Sequence, residues 1–422
     1  MDPRCPEIKT TDDNDADMDK CGGSGGHEND ASSTDNKDHL RVKVMGTARA
    51  GGGRVRSVSE SSVGEPNRQQ RSYSRTVSAA EERVLKLCEQ TQPEPFNICI
   101  PTSKSDYFKM MSKCVKIGEG AYGEVFSATS EGENVALKIM AIEGSLKVND
   151  LQQKKFEEIL SEMVIAKELS DLAEGVLNRS GNFCQVNKLS CAVGEYPGQL
   201  LKEWDSYRRR KVSENDRPDN FKSDQLFAVF EFADGGCDIE HYKFTNHAQG
   251  LSILKQVVFS LGAAELAMEF EHRDLHLGNV LVRRCARNAY IPYSLNGLER
   301  SVRSEGVFAT IIDFTISRIK KDGCAVYEDI SRDEGFFTGK GDIQFDVYRD
   351  MRTLNKNKWG RFKPRTNILW AHYLCKSLLT VIKYADKSGG SGDAEEKLRL
   401  LEDKIPTYSS CAQLACDDSV WT

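Results

Sequence analysis

The segment from residue 115 to residue 140 constrains the fold most, because its pattern suits a β-hairpin sheet with glycines at the tip. Gly118-Glu119-Gly120-Ala121-Tyr122-Gly123-Glu124-Val125 matches G-x-G-x-x-G-x-V. In a dinucleotide-binding fold the third glycine opens a helix. Here Glu124-Val125-Phe126-Ser127-Ala128 runs on as a strand. Residues 115–128 and 134–140 therefore read as strands around a glycine-rich turn. Glycine at the tip leaves no side chain between the backbone N–H groups and an anion laid across them.

Downstream, the period changes. Phe156, Ile159, Leu160, Met163, Ala166 and Leu169 form a helical stripe over residues 156–172. Residues 225–232 and 308–314 read as buried strands, and residues 253–268 as a helix with Leu254, Val257, Val258, Leu261 and Ala264 on one face. Helices follow at 368–382 and 394–401, around a Gly-Ser break at 388–392. Strands come early and helices late, which predicts an α+β chain of two unequal lobes. The expected division is a disordered Ser/Arg/Asp-rich tail over 1–100, a small mostly-β lobe with one key helix over 101–233, and a larger helical lobe over 234–422.

The tail has few aromatics and cannot bury enough apolar surface to offset its chain entropy. It holds an acidic block at 12–19 and a basic, serine-rich block at 54–78, with a short helix expected at 79–89. Ser57, Ser59, Ser74 and Ser78 follow arginines by two or three residues, a spacing that marks them as candidate phosphorylation sites. The run Arg208-Arg209-Arg210-Lys211 reads as a solvated loop face.

A net charge of −6 argues against a strongly basic nucleic-acid surface. The 13 cysteines show neither metal-ligand nor disulfide-framework spacing, so reduced thiols are expected. The start is acidic and polar, unlike a secretory or mitochondrial leader. The best apolar run, 253–270, is interrupted by Lys255, Gln256, Glu265 and Glu269, and falls short of the roughly 18 apolar residues of a membrane span. A soluble intracellular protein is expected.

Chemistry enters with His272-Arg273-Asp274-Leu275-His276-Leu277-Gly278-Asn279. This run sets a carboxylate and an amide five positions apart, ahead of the apolar Val280-Leu281-Val282. Phosphoryl transfer uses such a pair: the carboxylate takes or orients the attacking hydroxyl's proton, and the amide oxygen holds magnesium. Val135-Ala136-Leu137-Lys138 places Lys138 to meet the α- and β-phosphates of ATP. Its expected partner is Glu162 on the helix 156–172, with Glu157, Glu158 and Glu168 as competitors. Asp313-Phe314-Thr315 stands where D-F-G would, making Asp313 the second magnesium ligand beside Asn279. Threonine at the third position makes a peptide flip costly, so an aspartate-out state is expected to be disfavoured. A Walker A loop and a G-x-S-x-G elbow are both absent from the sequence.

From residue 114 onward the chain resembles the haspin family of divergent eukaryotic-type serine/threonine protein kinases. The resemblance is carried by Ile117-Gly118-Glu119-Gly120, Gly123-Glu124-Val125-Phe126, Ile139 to Gly144, Phe156-Glu157-Glu158-Ile159-Leu160 and Asn215-Asp216-Arg217-Pro218-Asp219. It continues through Phe270 to Leu281, Phe336-Phe337-Thr338-Gly339, Gln344-Phe345-Asp346 and Asn357-Lys358-Trp359-Gly360. Like that family, the chain has His276 two residues after Asp274 and no A-P-E triplet after Asp313. By the same resemblance, residues 143–154 and 178–222 are insertions.

The resemblance implies ATP and Mg2+ as cofactors. ATP would be met by Ile117, Gly118, Glu119, Gly120, Ala121, Tyr122, Gly123, Val125, Lys138, Asp238, Asn279 and Asp313, and by a hinge of Glu231, Phe232, Ala233 and Asp234. It implies Asp274 as the catalytic base, with Lys138 and Glu162 in support. The implied substrate is the third residue, a threonine, of the histone H3 tail, met by Asp238, Glu240, His276 and Asp333. Gly335 stands where the family often has a second acidic residue. Chromatin is the implied partner, without membrane or sequence-specific nucleic-acid binding. The implied state is a monomer in the nucleus and on mitotic chromosomes, with cytoplasm in interphase. Two other classes share features: small-molecule kinases of the aminoglycoside and choline type carry H-x-D-x-H-x-x-N, and a kinase-shaped scaffold would need no turnover. Arg273 and the full glycine-rich loop weigh against the first, and Lys138, Asp274 and Asp313 against the second.

Overall fold

In the computed structural model, residues 78–96, 114–386 and 392–421 are described. Ser57, Ser59, Ser74 and both charge blocks, apart from Ser78, fall outside them. Ser78 opens helix α1 (Ala79–Leu87), its hydroxyl accepting the Glu81 N–H, a serine N-cap. A two-residue strand β1 (Glu94–Pro95) follows.

Strands β2 (Val115–Gly120), β3 (Gly123–Ser130) and β4 (Glu133–Ile142) form an antiparallel meander. Helix α2 (Phe156–Asp171) comes next, then β5 (Arg179–Ser180), β6 (Val186–Val193), helix α3 (Gly198–Arg210) and β7 (Leu226–Ala233). The six-stranded sheet runs β1-β6-β7-β4-β3-β2. Residues 178–222 supply the sheet strand β6 and the helix α3, so the basic run lies on a helix end rather than a loop. The Arg208-Arg209-Arg210-Lys211 run ends α3 in solvent, where cations suit the helix's negative terminus.

Because side chains alternate across a strand, the sheet buries two different faces. Phe126, Val135, Leu137, Ile139 and Phe227 pack on one side, under Leu200 of α3. Met140, Ile142, Ala228 and Phe230 pack on the other, with Phe156, Ile159 and Met163 of α2 and Val84 of α1. This double burial explains why β7 reads as an almost unbroken apolar run.

The helical region begins after β8 (Cys237–Asp238) with α4 (His247–Met268). Strands β9 (Val280–Arg284), β10 (Tyr290–Leu295), β11 (Leu298–Arg303), β12 (Val307–Ile311), β13 (Arg318–Lys321) and β14 (Cys324–Tyr327) form three small sheets with β5 and β8. Helices α5 (Gly335–Thr338), α6 (Ile343–Asn355), α7 (Arg365–Thr380), α8 (Gly392–Lys404), α9 (Cys411–Cys416) and α10 (Asp418–Trp421) complete the chain.

Helix α4 is the axis of this region. It is long and apolar enough to cross a membrane by length and composition, contrary to the reading of residues 253–270. It is a core helix all the same, with Ile253, Leu254, Val257, Val258, Leu261 and Ala264 fully buried. The polar residues that interrupt its apolar pattern are used inside. Gln256 accepts the Ala309 N–H at 2.7 Å and donates to the Val307 carbonyl at 3.0 Å, bracing β12. Glu265 accepts the N–H groups of Cys411 and Ala412 and an amide hydrogen of Asn367, which joins α4 to α7 and α9.

Phe227 has no exposed surface and touches the rings of Phe96, Tyr196 and Phe221. Phe227→Ala is expected to lower unfolding stability by about 3–5 kcal/mol in urea denaturation, since it leaves a cavity in that aromatic cluster.

Candidate active site

The glycine-rich hairpin pairs Gly120 with Gly123, leaving Ala121-Tyr122 as its turn. Gly123 is obligatory, because a Cβ there would meet the Ile139 carbonyl oxygen at 2.0 Å. Gly120 instead faces open space. Ile117 lies between the paired residues Lys116 and Gly118, at the register shift of β2, and is 48% exposed; Val125 is half-buried. The Glu119 side chain does not point at a nucleotide. Its carboxylate takes Lys116 Nζ and Ser213 Oγ, each at 2.8 Å, and the Glu214 N–H at 2.9 Å. Only the backbone of Glu119 can serve phosphates.

The register of β4 places Lys138 opposite Val125 and Phe230, under the glycine-rich hairpin. Lys138 Nζ lies 2.7 Å from Glu162 Oε1 and 3.6 Å from Asp313 Oδ1, and donates to Thr315 Oγ1 at 3.4 Å. Burial works against its charge, but Asp313 and Glu162 outweigh that and hold the ammonium above the usual lysine range. Glu162 is likewise held ionised against burial, by Lys138 and by a second lysine, Lys154, at 3.2 Å. Glu168 pairs with Lys321 and Glu158 caps α2 through the Lys155 N–H, while Glu157 stays at the exposed start of that helix.

Strands β9 and β12 bring the two expected metal ligands together. Ile311 pairs with Val280, and the Ile312 N–H donates to the Asn279 carbonyl at 3.0 Å, so Asp313 follows beside Asn279. Asn279 spends its amide nitrogen on the Asp274 carbonyl at 2.7 Å, and its oxygen is the atom that can ligate a cation. Asp313 sits at φ +63°, with its carboxylate accepting both the N–H and the hydroxyl of Thr315. Burial opposes ionisation of Asp313, yet Lys138 and these hydrogen bonds hold its carboxyl well below the normal range. A carboxylate and an amide oxygen are hard donors of the kind Mg2+ accepts.

Asp274 is fixed from three sides. Its N–H donates to His272 Nδ1 at 3.2 Å, its Oδ1 accepts the Tyr348 hydroxyl, and His276 Nε2 lies 4.0 Å from the same oxygen. Burial raises its pKa, and His276 and Tyr348 restrain the rise. Arg273 is wholly internal: it reaches Glu271 Oε2 at 3.3 Å and the Trp359 carbonyl at 2.5 Å, and its guanidinium stacks on the Trp359 ring.

Glu231, Phe232 and Ala233 end β7, and Asp234 follows. Two donors of the expected hinge are already taken. The N–H groups of Ala233 and Asp234 are committed to the carbonyls of Gln185 and Asn134. The next N–H, that of Gly235, makes no hydrogen bond among the described residues and is the donor available to an adenine. Phe232 stacks on Phe230 at 5.7 Å and packs between the core under α2 and that of the helical region. Asp238 and Glu240 cluster with His241, whose Nδ1 lies 2.7 Å from Asp238 Oδ1. The Asp333 carboxylate accepts the Gly335 N–H.

Three contributors escaped sequence reasoning: Lys154, Tyr348 and the Thr315 hydroxyl. Lys154 stands two residues before α2, but nothing in a lone lysine marks it as buried. Tyr348 lies 74 residues from Asp274, and only packing of α6 brings them together. The Thr315 hydroxyl was legible as a departure from glycine, though its bond to Asp313 was not.

A family model described as a haspin like kinase domain matches residues 52–415. The chain belongs to the haspin-like kinase family. Haspin of Mus musculus is 43% identical over 344 residues, 81% of this chain and 45% of the mouse protein. A Drosophila melanogaster haspin homolog is 38% identical over 343 residues, covering 79% of this chain and 59% of its own length. A homolog from Arabidopsis thaliana is 34% identical over 343 residues, 79% of this chain and 54% of the plant protein. The chain thus spans about half the length of these haspin relatives.

His272 offers a pH test. It is fully buried, accepts from the Asp274 N–H through Nδ1 and lies 3.1 Å from the Ile312 carbonyl through Nε2, the bonding of a neutral imidazole. Burial pushes its pKa down to about 4. A base depressed on folding contributes stability that is complete above its unfolded pKa, near 6.5, and is lost as pH falls toward 4. From pH 6.5 to pH 5 the native protein should lose about 2 kcal/mol through this residue. Urea unfolding of His272→Gln should show a shallower decline over that interval; parallel declines would mean that the imidazole titrates in the native protein as it does in the unfolded chain.

Proposed function

We propose that the chain is an ATP- and Mg2+-dependent serine/threonine protein kinase that phosphorylates the histone H3 tail at its third residue, a threonine. The carrying observation is the convergence of Lys138, Glu162, Asp313, Asn279 and Asp274 around the space beneath the glycine-rich hairpin. On this reading backbone N–H groups from Gly118 to Gly123 cradle the phosphates, Lys138 binds the α- and β-phosphates, and the hinge binds adenine through Gly235. Asn279 and Asp313 hold magnesium, which when bound neutralises phosphate charge. Asp274 orients the threonine hydroxyl and takes its proton as the oxygen attacks the γ-phosphorus and the ADP oxygen leaves. Its raised pKa makes it a somewhat stronger base.

Asp238, Glu240 and Asp333 support a cationic substrate, since carboxylates around a cleft attract a histone tail and orient its Lys and Arg side chains. Their partial exposure limits each pair to a small contribution. Such a substrate would place the protein in the nucleus, on mitotic chromatin. His276 beside Asp274 would approach the incoming hydroxyl or its neighbouring residue.

The decisive assay supplies labelled ATP and magnesium to H3 tail peptides with each threonine replaced in turn by alanine. Label should vanish with the third-residue replacement alone. Transfer to aminoglycosides or choline with peptides left unlabelled would overturn the proposal. Asp274→Asn should lower kcat by about 10³-fold with nucleotide affinity retained, whereas Lys138→Ala should weaken both. Unchanged turnover in Asp274→Asn would remove that residue from the role of base.

A further inference from the structure

Lys154 ends the segment 143–154, where the chain returns to the end of β4 before α2. Its carbonyl accepts the Glu143 N–H at 3.0 Å, and it bridges Ile142 in parallel fashion. This tether fixes the side chain, which is 4% exposed. Its Nζ donates to Glu162 Oε2 at 3.2 Å, while Lys138 holds Oε1 at 2.7 Å. The same ammonium sits 5.0 Å from the centroid of the Tyr122 ring, in the turn of the glycine-rich hairpin. Glu328, from the chain just past β14, lies close enough for Lys154 to ease its charge.

We infer that Lys154 is a positioning residue for nucleotide binding: it holds Glu162 and the tip of the glycine-rich hairpin in place while Lys138 serves the phosphates. This rests on the kinase reading above. A triphosphate draws part of Lys138's charge away from Glu162. A buried carboxylate left with a weakened partner is driven to take up a proton or to move out. The Lys154 ammonium is buried against Glu162 and the Tyr122 ring, so its share of the compensation stays constant as nucleotide enters. Its cation–π contact draws Tyr122, and with it the hairpin turn, toward α2. One side chain thereby couples the two elements that must both be in place around a bound nucleotide.

The test titrates the full chain with a fluorescent ATP analogue in the presence of magnesium. Lys154→Met should raise Kd about tenfold and Lys154→Arg by no more than about threefold, since a cation at that place is what matters. Tyr122→Leu, which removes the ring and leaves the ion pairs, should raise Kd about threefold. On a Glu162→Gln background, Lys154→Met should add less than about twofold, because its main partner has already lost its charge. In the peptide assay the loss should appear in KM for ATP more than in kcat. Wild-type affinity in Lys154→Met would overturn the inference. So would an undiminished tenfold loss on the Glu162→Gln background, or an arginine variant as weak as methionine. Absence of saturable nucleotide binding by the wild-type chain would overturn the kinase reading itself, a different failure from a Lys154 variant that binds normally.

Discussion

Four buried or half-buried charges, two of each sign, set the conditions for the rest of this fold. Lys138 and Lys154 face Glu162 and Asp313 within a few ångströms. Taking such groups from water is expensive, and geometry that is merely adequate does not repay it. The balance is reached here because four separate pieces of chain arrive together: β4, the segment before α2, α2 itself and the stretch after β12. Each piece is held by its own apolar packing, which frees the ionic cluster from having to stabilise the fold.

Much of that arrangement was legible. Glycine spacing followed by a strand pattern identified the hairpin, and the stripe from Phe156 to Leu169 identified α2 within a residue or so. Short motifs named Asp274, Asn279, Lys138 and Asp313, because phosphate chemistry restricts residue type strongly. What failed was the middle. Residues 178–222 look polar and irregular because α3 buries only Leu200, Trp204 and Tyr207, while β6, buried on both faces at its centre, fills that centre with Leu189, Ser190, Cys191 and Ala192 rather than a clear apolar pattern. The hairpin β10–β11 went unread although Asn296-Gly297, a favoured two-residue turn, stands at its tip with φ 51° and 79°. Hydrogen-bond partners such as Tyr348 were beyond reach for a plainer reason: sequence separation says nothing about which helix face meets a loop.

The sheet's outer face shows how the surrounding segments act on the site. Helix α3 covers that face, and Lys116 is sealed beneath it between Trp204 and Tyr207 while pairing with Glu119 and Glu124. Asn215 donates to the carbonyls of Gly120 and Gly123, and Asn149 to that of Ala121. The glycine-rich turn therefore gains from its neighbours the order that its own composition lacks. Such preorganisation reduces the conformational freedom to be surrendered when a ligand arrives.

Arg273 carries a consequence of its own. Arginine beside a catalytic aspartate is well suited to receive a phosphate on a flexible segment, which would make activity conditional on an upstream enzyme. Here that guanidinium is enclosed by Glu271, Trp359 and Arg318's neighbourhood, with no surface left to greet an incoming anion. An anion could reach that guanidinium only if the Trp359 ring and the Glu271 carboxylate gave way first, so the arginine serves the packing beneath Asp274 instead of a surface.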